Sequence, residues 1–407
     1  MCIEKGIPMN LNKFLQLIIV VMLLAAISVA PAAAQFEPQE GTVDEDGDLI
    51  VELLPPAAID SIVPESGRWD ENLTSPDSIS PSDQVGVDAV PISPGSSIKI
   101  MDKTPTFTFS KDAGATMYQI EVWNAVLYNL VYSIKGTGKC NVSQCTLTPT
   151  TKLKPMDMSG NGAYIWHVRS KTASGWGTYT ATAQFLVISP GFNSTFDQHM
   201  KKWGIMAGNW FRTDSGYLKS SGLFNSYASV VQKEVFFDDY VYTARMKAKS
   251  ATDSFQGLII GGAPTPLWSG NVWYDGVYFL YQGGKSSVWM IRDGTNYYFT
   301  GWSDTASIIP TGWNVLEVLV DSPNAYFMIN GVTKWVFLNY PSEIEPGVVG
   351  FVHYKYIDKA PMVVDWAKLS YLPTGSAEGI DLDGAMVIDF NNLPPMVEGA
   401  SPLDPPQ

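Results

Sequence analysis

Eight aromatic residues fall within the 26 positions of VYFLYQGGKSSVWMIRDGTNYYFTGW, Val277 to Trp302. Flat rings beside hydrogen-bonding side chains are what a sugar requires. Its C–H surface lies against a ring, and its hydroxyls reach the polar groups. Which way these rings point is a matter of register. With Gly283-Gly284 and Asp293-Gly294 as two-residue turns, Tyr278 pairs with Trp289 and Trp289 with Tyr298. Successive side chains then alternate between two faces. One face carries Val277, Phe279, Val288, Met290, Tyr297 and Phe299, and reads as core. The other carries the row Tyr278, Trp289, Tyr298, then Leu280, Ser287 and Thr300, then Gln282, Lys285 and Trp302. The candidate ligand-binding residues are therefore Tyr278, Trp289, Tyr298, Gln282, Lys285 and Trp302. A competing reading buries the same rings under a loop such as GGAPTPLWSGNVWYDG. A slip of one residue would exchange the two faces.

The carboxylates offer less. In FFDDY the acids Asp238 and Asp239 are adjacent and point to opposite faces, and Glu343 and Glu345 flank a Pro-Gly turn. Glu317 in NVLEVLV stands alone on the less apolar face of its strand. Glycoside hydrolysis uses two carboxyl groups, so no catalytic residue is assigned. There is no nucleophile elbow, P-loop or zinc signature. The histidines, His167, His199 and His353, are scattered. Cys140 and Cys145 have the spacing of a local disulfide in an exported chain.

Export is read from the N-terminus. Lys13 precedes an apolar run, Phe14 to Ala30, and a small-residue cleavage site ends at Ala34, so residues 1–34 read as a signal peptide. No later run is long and apolar enough to span a bilayer, which predicts no transmembrane anchor after cleavage. The expected location is secreted or cell-surface, with the periplasm as an alternative. The net charge of -14 sits in the ends of the chain. Residues 35–91 hold 14 acidic residues and one basic, and residues 374–407 hold six acidic and none basic. Both segments read as disordered acidic tails. With no basic cluster, nucleic-acid binding is not expected.

Between the tails, short runs of period two are punctuated by Gly, Asn, Asp and Pro, which predicts an all-β chain. A boundary falls at SPGFNS, Ser189 to Ser194. Residues 92–188 hold about seven short strands, including TPTFTFS, MYQIEVWNA and AYIWHVRSKTASGWGTYT. Through Tyr118, Tyr164, Val168, Arg169, Gly175 and Gly177 this region resembles a fibronectin type III module. The resemblance implies an immunoglobulin-like sandwich serving as a spacer, with Tyr164 as the tyrosine-corner ring.

Residues 189–373 resemble the concanavalin A-like lectin/glucanase superfamily, including laminin-G-like and keto-disaccharide-hydrolase-like jelly rolls. The residues that carry this are Trp203, Trp210, Gly216, Leu218, Phe236, Phe237, Asp238 and Tyr240. Gly257, Leu258, Trp313, Asn314, Asn330, Gly331, Gly347, Gly350, Asp365 and Trp366 complete the pattern. The Asn330-Gly331 pair also fits a type I′ hairpin on its own chemistry. The family's Glu-x-Asp-x-x-Glu motif is missing, which favours a non-catalytic member and leaves a glycosidase as an alternative. The resemblance implies a calcium ion where the first and last strands meet, with Asp197 and Asp365 as candidate ligands. The reading is a secreted or cell-surface carbohydrate-binding or adhesion protein, with a polysaccharide or cell-surface protein as partner. A structural envelope protein without a small ligand is the other alternative.

Overall fold

The computed structural model describes residues 89–196, 200–213, 218–221, 226–237, 239–248, 254–264, 273–298, 301–340, 346–355, 361–372, 377, 379–392 and 397–398. The expected signal peptide and almost all of the acidic spacer lie outside these residues. So do Asp197, Asp238, Glu343 and Glu345. The protein is all-β among the described residues, two successive sandwiches, each made of two sheets. Among the described residues no helix is long and apolar enough to cross a membrane.

In the first sandwich, one sheet runs in the order Pro91–Ser93, Phe107–Ser110, Gln144–Leu147, Lys139–Cys140. The other runs Ile98–Ile100, Ala183–Val187, Ala163–Thr172, Met117–Asn124, Asn129–Gly136. The alternation in TPTFTFS turns Phe107 and Phe109 inward, where both are fully buried. Phe107 meets Trp166 edge-on at 4.8 Å between ring centroids. The Tyr164 hydroxyl donates to the Lys154 carbonyl at 3.0 Å and accepts from the Lys154 amide at 3.1 Å. That satisfies a buried phenol through backbone upstream of it, as a tyrosine corner does. Cys140 and Cys145 face each other across a tight hairpin and are joined as a disulfide. Asn141 Oδ1 accepts from the Ser143 and Gln144 amides and shapes the turn between them.

The second sandwich has two nine-stranded sheets. The first is ordered Asn209–Arg212, Leu218–Ser221, Met362–Tyr371, Tyr240–Ala248, Asn314–Asp321, Asn324–Ile329, Val332–Leu338, Met386–Asp389. Phe192–Ser194 pairs with Met362–Tyr371 off this path. The second is ordered Trp203–Ala207, Ser226–Gln232, Val348–Lys355, Ser254–Pro264, Trp273–Gln282, Lys285–Arg292, Thr295–Tyr298, Val397–Glu398, with Ser303–Asp304 beside Lys285–Arg292. Asn330 and Gly331 both have positive φ, 53° and 79°, as a type I′ turn demands. Between the sheets, Tyr242, Phe279, Phe327, Phe337 and Phe351 share one buried cluster. Phe279 meets Phe327 at 5.4 Å.

One expectation needs correction: the acidic segment from residue 374 is not a free tail throughout. Met386–Asp389 adds a parallel strand beside Val332–Leu338, and Val397–Glu398 pairs with Thr295–Tyr298 in the opposite sheet. Ile388 is buried in the core, and Phe390 packs on Phe337 at 5.0 Å. Apolar residues at alternate positions of GAMVIDF do this, despite the acidity around them. The first sandwich is docked against the second. Ala125, Met156, Ile165, Leu186 and Ile188 are buried in one cluster with Val231, Val235, Phe237 and Val352 of the second. Backbone bonds from the Met158 amide to the Lys233 carbonyl and from the Val235 amide to the Met156 carbonyl, each 2.9 Å, extend the junction. The Ser189 hydroxyl donates to the Glu234 carboxylate at 2.5 Å.

Candidate functional site

The register of the aromatic stretch is the expected one. Tyr278 pairs with Trp289, Phe279 with Val288, Gln282 with Lys285, and Trp289 with Tyr298. Positive φ at Gly283, Asp293 and Gly294 fits the two turns. Val277, Phe279, Val288 and Met290 line the core between the sheets, as the alternation requires.

The opposite face is not a platform. Tyr278 is 3% exposed and Trp289 5% exposed, within the same cluster that holds the first sandwich. The Tyr278 hydroxyl bonds Tyr227 at 2.9 Å, and the Trp273 indole donates to Tyr227 at 3.1 Å. Burial, first of all, raises Tyr278 well above the ordinary phenol range. It pushes Tyr227 up to about 12, against the opposing hydrogen bonds from Tyr278 and Trp273. Ser287 is buried and donates to the Gly301 carbonyl at 2.8 Å. Trp302 is half-buried, 6.0 Å from the Phe255 ring. Gln282 is half-buried and Lys285 exposed at the hairpin tip. The structure therefore pairs the strands of the predicted residues as expected and covers two of the rings that would stack on a sugar, Tyr278 and Trp289. Strand alternation fixes a face; it does not say what is packed on it.

The face of this sandwich that stays partly open belongs to the other sheet. Along Tyr240–Ala248, the inward residues Tyr242, Ala244 and Met246 alternate with outward Thr243, Arg245 and Lys247. Across from them lie Glu317 on one neighbouring strand and Asp365, Trp366 and Lys368 on the other. A bulge between Arg245 and Met246 brings Asp365 and Trp366 beside the arginine. The Arg245 guanidinium pairs with Asp365 and lies 4.6 Å from the Trp313 ring centroid. Lys247 Nζ lies 4.4 Å from the same centroid. Glu317 accepts from the Thr243 hydroxyl at 2.8 Å. Trp366 is half-buried, and its indole makes no ring contact or hydrogen bond among the described residues.

Trp313 and Trp366 were legible only as fold markers in the sequence. The signal that finds them is the polar phase of YTARMKA combined with Glu317 on the adjoining strand. The Asp365 expected as a calcium ligand is engaged by Arg245, and Asp197 lies outside the described residues. Among the described residues no group of three or more His, Cys, Asp or Glu could hold a metal ion.

No family model matches the chain, and no curated protein matches it. Similar solved structures include a β-glucanase of Bacillus licheniformis, 12% identical over 45% of this chain and 99% of that one, with a TM-score of 0.36. The carbohydrate-binding module CBM66 of Bacillus subtilis is 11% identical over 40% of this chain and 92% of its own, with a TM-score of 0.32. The carbohydrate recognition domain of Emp47p is 12% identical over 45% and 95%, with a TM-score of 0.34. Identities and scores of this size carry no argument about ligand or activity. What the chain binds has to be argued from its own side chains.

Proposed function

We propose that the chain is an exported, non-catalytic glycan-binding protein whose second sandwich holds a polysaccharide on the open face around Trp366. The observation that carries this is Trp366, a half-buried indole with no protein partner among the described residues, next to the Arg245–Asp365 pair. A ring with a free donor, bordered by fixed charged groups, matches a sugar's mixture of C–H surface and hydroxyls. Arg245 is held in place by Asp365 and by the Trp313 ring, so its ordering is complete before a ligand arrives. Both carboxylates on the face are engaged, Asp365 by Arg245 and Glu317 by Thr243, which supports binding over hydrolysis. The N-terminal apolar run and the Cys140–Cys145 disulfide support export.

The test is a screen of neutral polysaccharides and a glycan array with the secreted chain, followed by Trp366→Ala. The expected result is retention on at least one glycan, lost in the variant while its cooperative melting transition is kept. A chain that binds no glycan, or a Trp366→Ala variant that binds as well as the parent, overturns the reading. Release of reducing ends from the bound polysaccharide would replace binding by catalysis.

A further inference from the structure

The outward face of the first sandwich changes character along its length. Near the junction it carries Ile165 and Trp123, which pack in the interdomain cluster. Further along it carries a stack of polar and aromatic groups. Tyr179 stacks on His167 at 4.0 Å between centroids, and the Arg169 guanidinium lies 4.5 Å from the Tyr179 centroid. Arg169 also lies 5.1 Å from the Trp176 ring and donates twice to Gln119 Oε1, at 3.1 and 2.7 Å. At the far end, Lys135 Nζ is 5.7 Å and Lys171 Nζ 5.9 Å from the same Trp176 centroid.

Three cations therefore surround one half-buried indole. Lys135 and Lys171 are exposed, come from different strands, and form no ion pair among the described residues. The carboxylate this face offers, Glu121, is already occupied. It accepts from Tyr179 at 2.5 Å, His167 at 3.3 Å and Gln119 at 3.2 Å. Glu121 offsets one of the three positive charges, since its donors are neutral and leave its own charge in place, but Lys135 and Lys171 keep the cluster net positive, and it gains when an anion arrives. The chain as a whole carries -14, so this cluster opposes the protein's own field.

We propose that this end of the first sandwich binds an acidic polysaccharide, with Lys135 and Lys171 pairing its carboxylate or sulfate groups and a sugar ring resting on the exposed part of Trp176. Arg169, fixed by Gln119 and two rings, contributes charge without having to be ordered. The footprint is short, three cations at one end of a sheet face. A nucleic acid would need a longer basic stripe to neutralise its phosphates. The site is separate from the Trp366 face and does not depend on it.

The experiment uses the secreted chain in affinity electrophoresis and column retention against alginate (carboxylate), heparin (sulfate), neutral dextran and poly-dT. Retention on alginate or heparin, released by salt and absent on dextran, is expected. Comparing the first two tells which anion is preferred. Lys135→Ala with Lys171→Ala should weaken retention about tenfold or more, because charge-assisted contacts are lost at exposed positions that carry no packing. Trp176→Ala should weaken it further, and Trp366→Ala should leave it unchanged. Unchanged retention in the double lysine variant would overturn the proposal. So would poly-dT binding as tightly as the polysaccharides, which would mark the patch as a general cation exchanger. Loss of acidic-glycan binding in Trp366→Ala, with the lysine variant normal, would move the site to the second sandwich.

Discussion

The two outward faces of the second sandwich are built from the same kind of sequence and meet different fates. On one, Tyr278 and Trp289 sit in neighbouring strands and are buried with residues of the first sandwich. On the other, Trp313 and Trp366 flank an arginine and stay half-buried, with no domain seated on them among the described residues. Aromatic density is higher on the covered face. Charge separates the two: Arg245, Lys247, Asp365, Glu317 and Lys368 mark the open face, and charged groups of that kind resist burial unless paired. A concentration of rings is therefore a weaker sign of a glycan site than a few rings interleaved with charge.

The sharpest way to break this comparison is to truncate one tryptophan on each face. Trp289→Ala should cost about 3–5 kcal/mol, as for a large side chain removed from a packed interior. The variant should unfold at markedly lower temperature or aggregate. Phe279→Ala, on the core side of the same strand pair, should cost a similar amount. Trp366→Ala should cost less, about 1–2 kcal/mol, because part of the indole is already in water. Thermal melts of the three settle the matter. A stable Trp289→Ala beside a collapsed Trp366→Ala would reverse the assignment of open and covered faces.

The junction makes the next prediction. Ile165 belongs to the first sandwich and is buried in the shared cluster. Ile165→Ala should cost about 2 kcal/mol, the lower end for isoleucine truncation, because the site lies at an interface that can relax. In calorimetry the parent should melt as one cooperative unit and the variant as two overlapping transitions. Two transitions in the parent would mean that the sandwiches are independent, and the covered face would then be covered only part of the time.

A smaller effect is expected at the far end of the first sandwich. Opening Cys140–Cys145 frees a very short loop, so chain entropy limits the loss to about 2 kcal/mol, under the ~3 kcal/mol of a 15-residue loop. Intact mass under non-reducing conditions should show no free thiol. Cys140→Ser with Cys145→Ser should lower the melting temperature by a few degrees and leave both proposed sites working.

Much of this architecture could be read in the sequence. The two sandwiches, the Asn330-Gly331 hairpin and the pairing of Trp289 with Tyr278 on one side and Tyr298 on the other follow from turn chemistry and period two, both local signals. The disulfide followed from spacing and compartment. What failed was non-local. Nothing local to Val277–Trp302 shows that the first sandwich packs in its neighbourhood, since Ile165 and Leu186 lie about a hundred residues away in sequence. The acidity of the C-terminal segment hid Ile388 and Phe390, two apolar residues that anchor it. Trp313 and Trp366 were read as part of a fold resemblance, so their chemistry was absorbed into that signal. Only the strand order places Arg245 between them.

The smallest effect tests how tightly the covered face is sealed. Tyr227 bonds Tyr278, accepts from Trp273, and is pushed up to about 12, first by burial. A phenol whose folded pKa is raised above its unfolded value of 10 keeps its proton longer in the folded state. Its contribution is therefore full below pH 10 and is lost as pH rises towards about 12. Tyr278 and other buried phenols act in the same direction. Tyr227→Phe removes one titrating group and two hydrogen bonds, at a cost of about 1 kcal/mol at neutral pH. Above pH 10 the gap between parent and variant should narrow, because the parent alone is losing this proton's worth of stability. Melting curves from pH 7 to 12 would show it. Parallel curves with a constant gap would mean that Tyr227 titrates normally, and that water reaches the row from which a sugar was expected to be held.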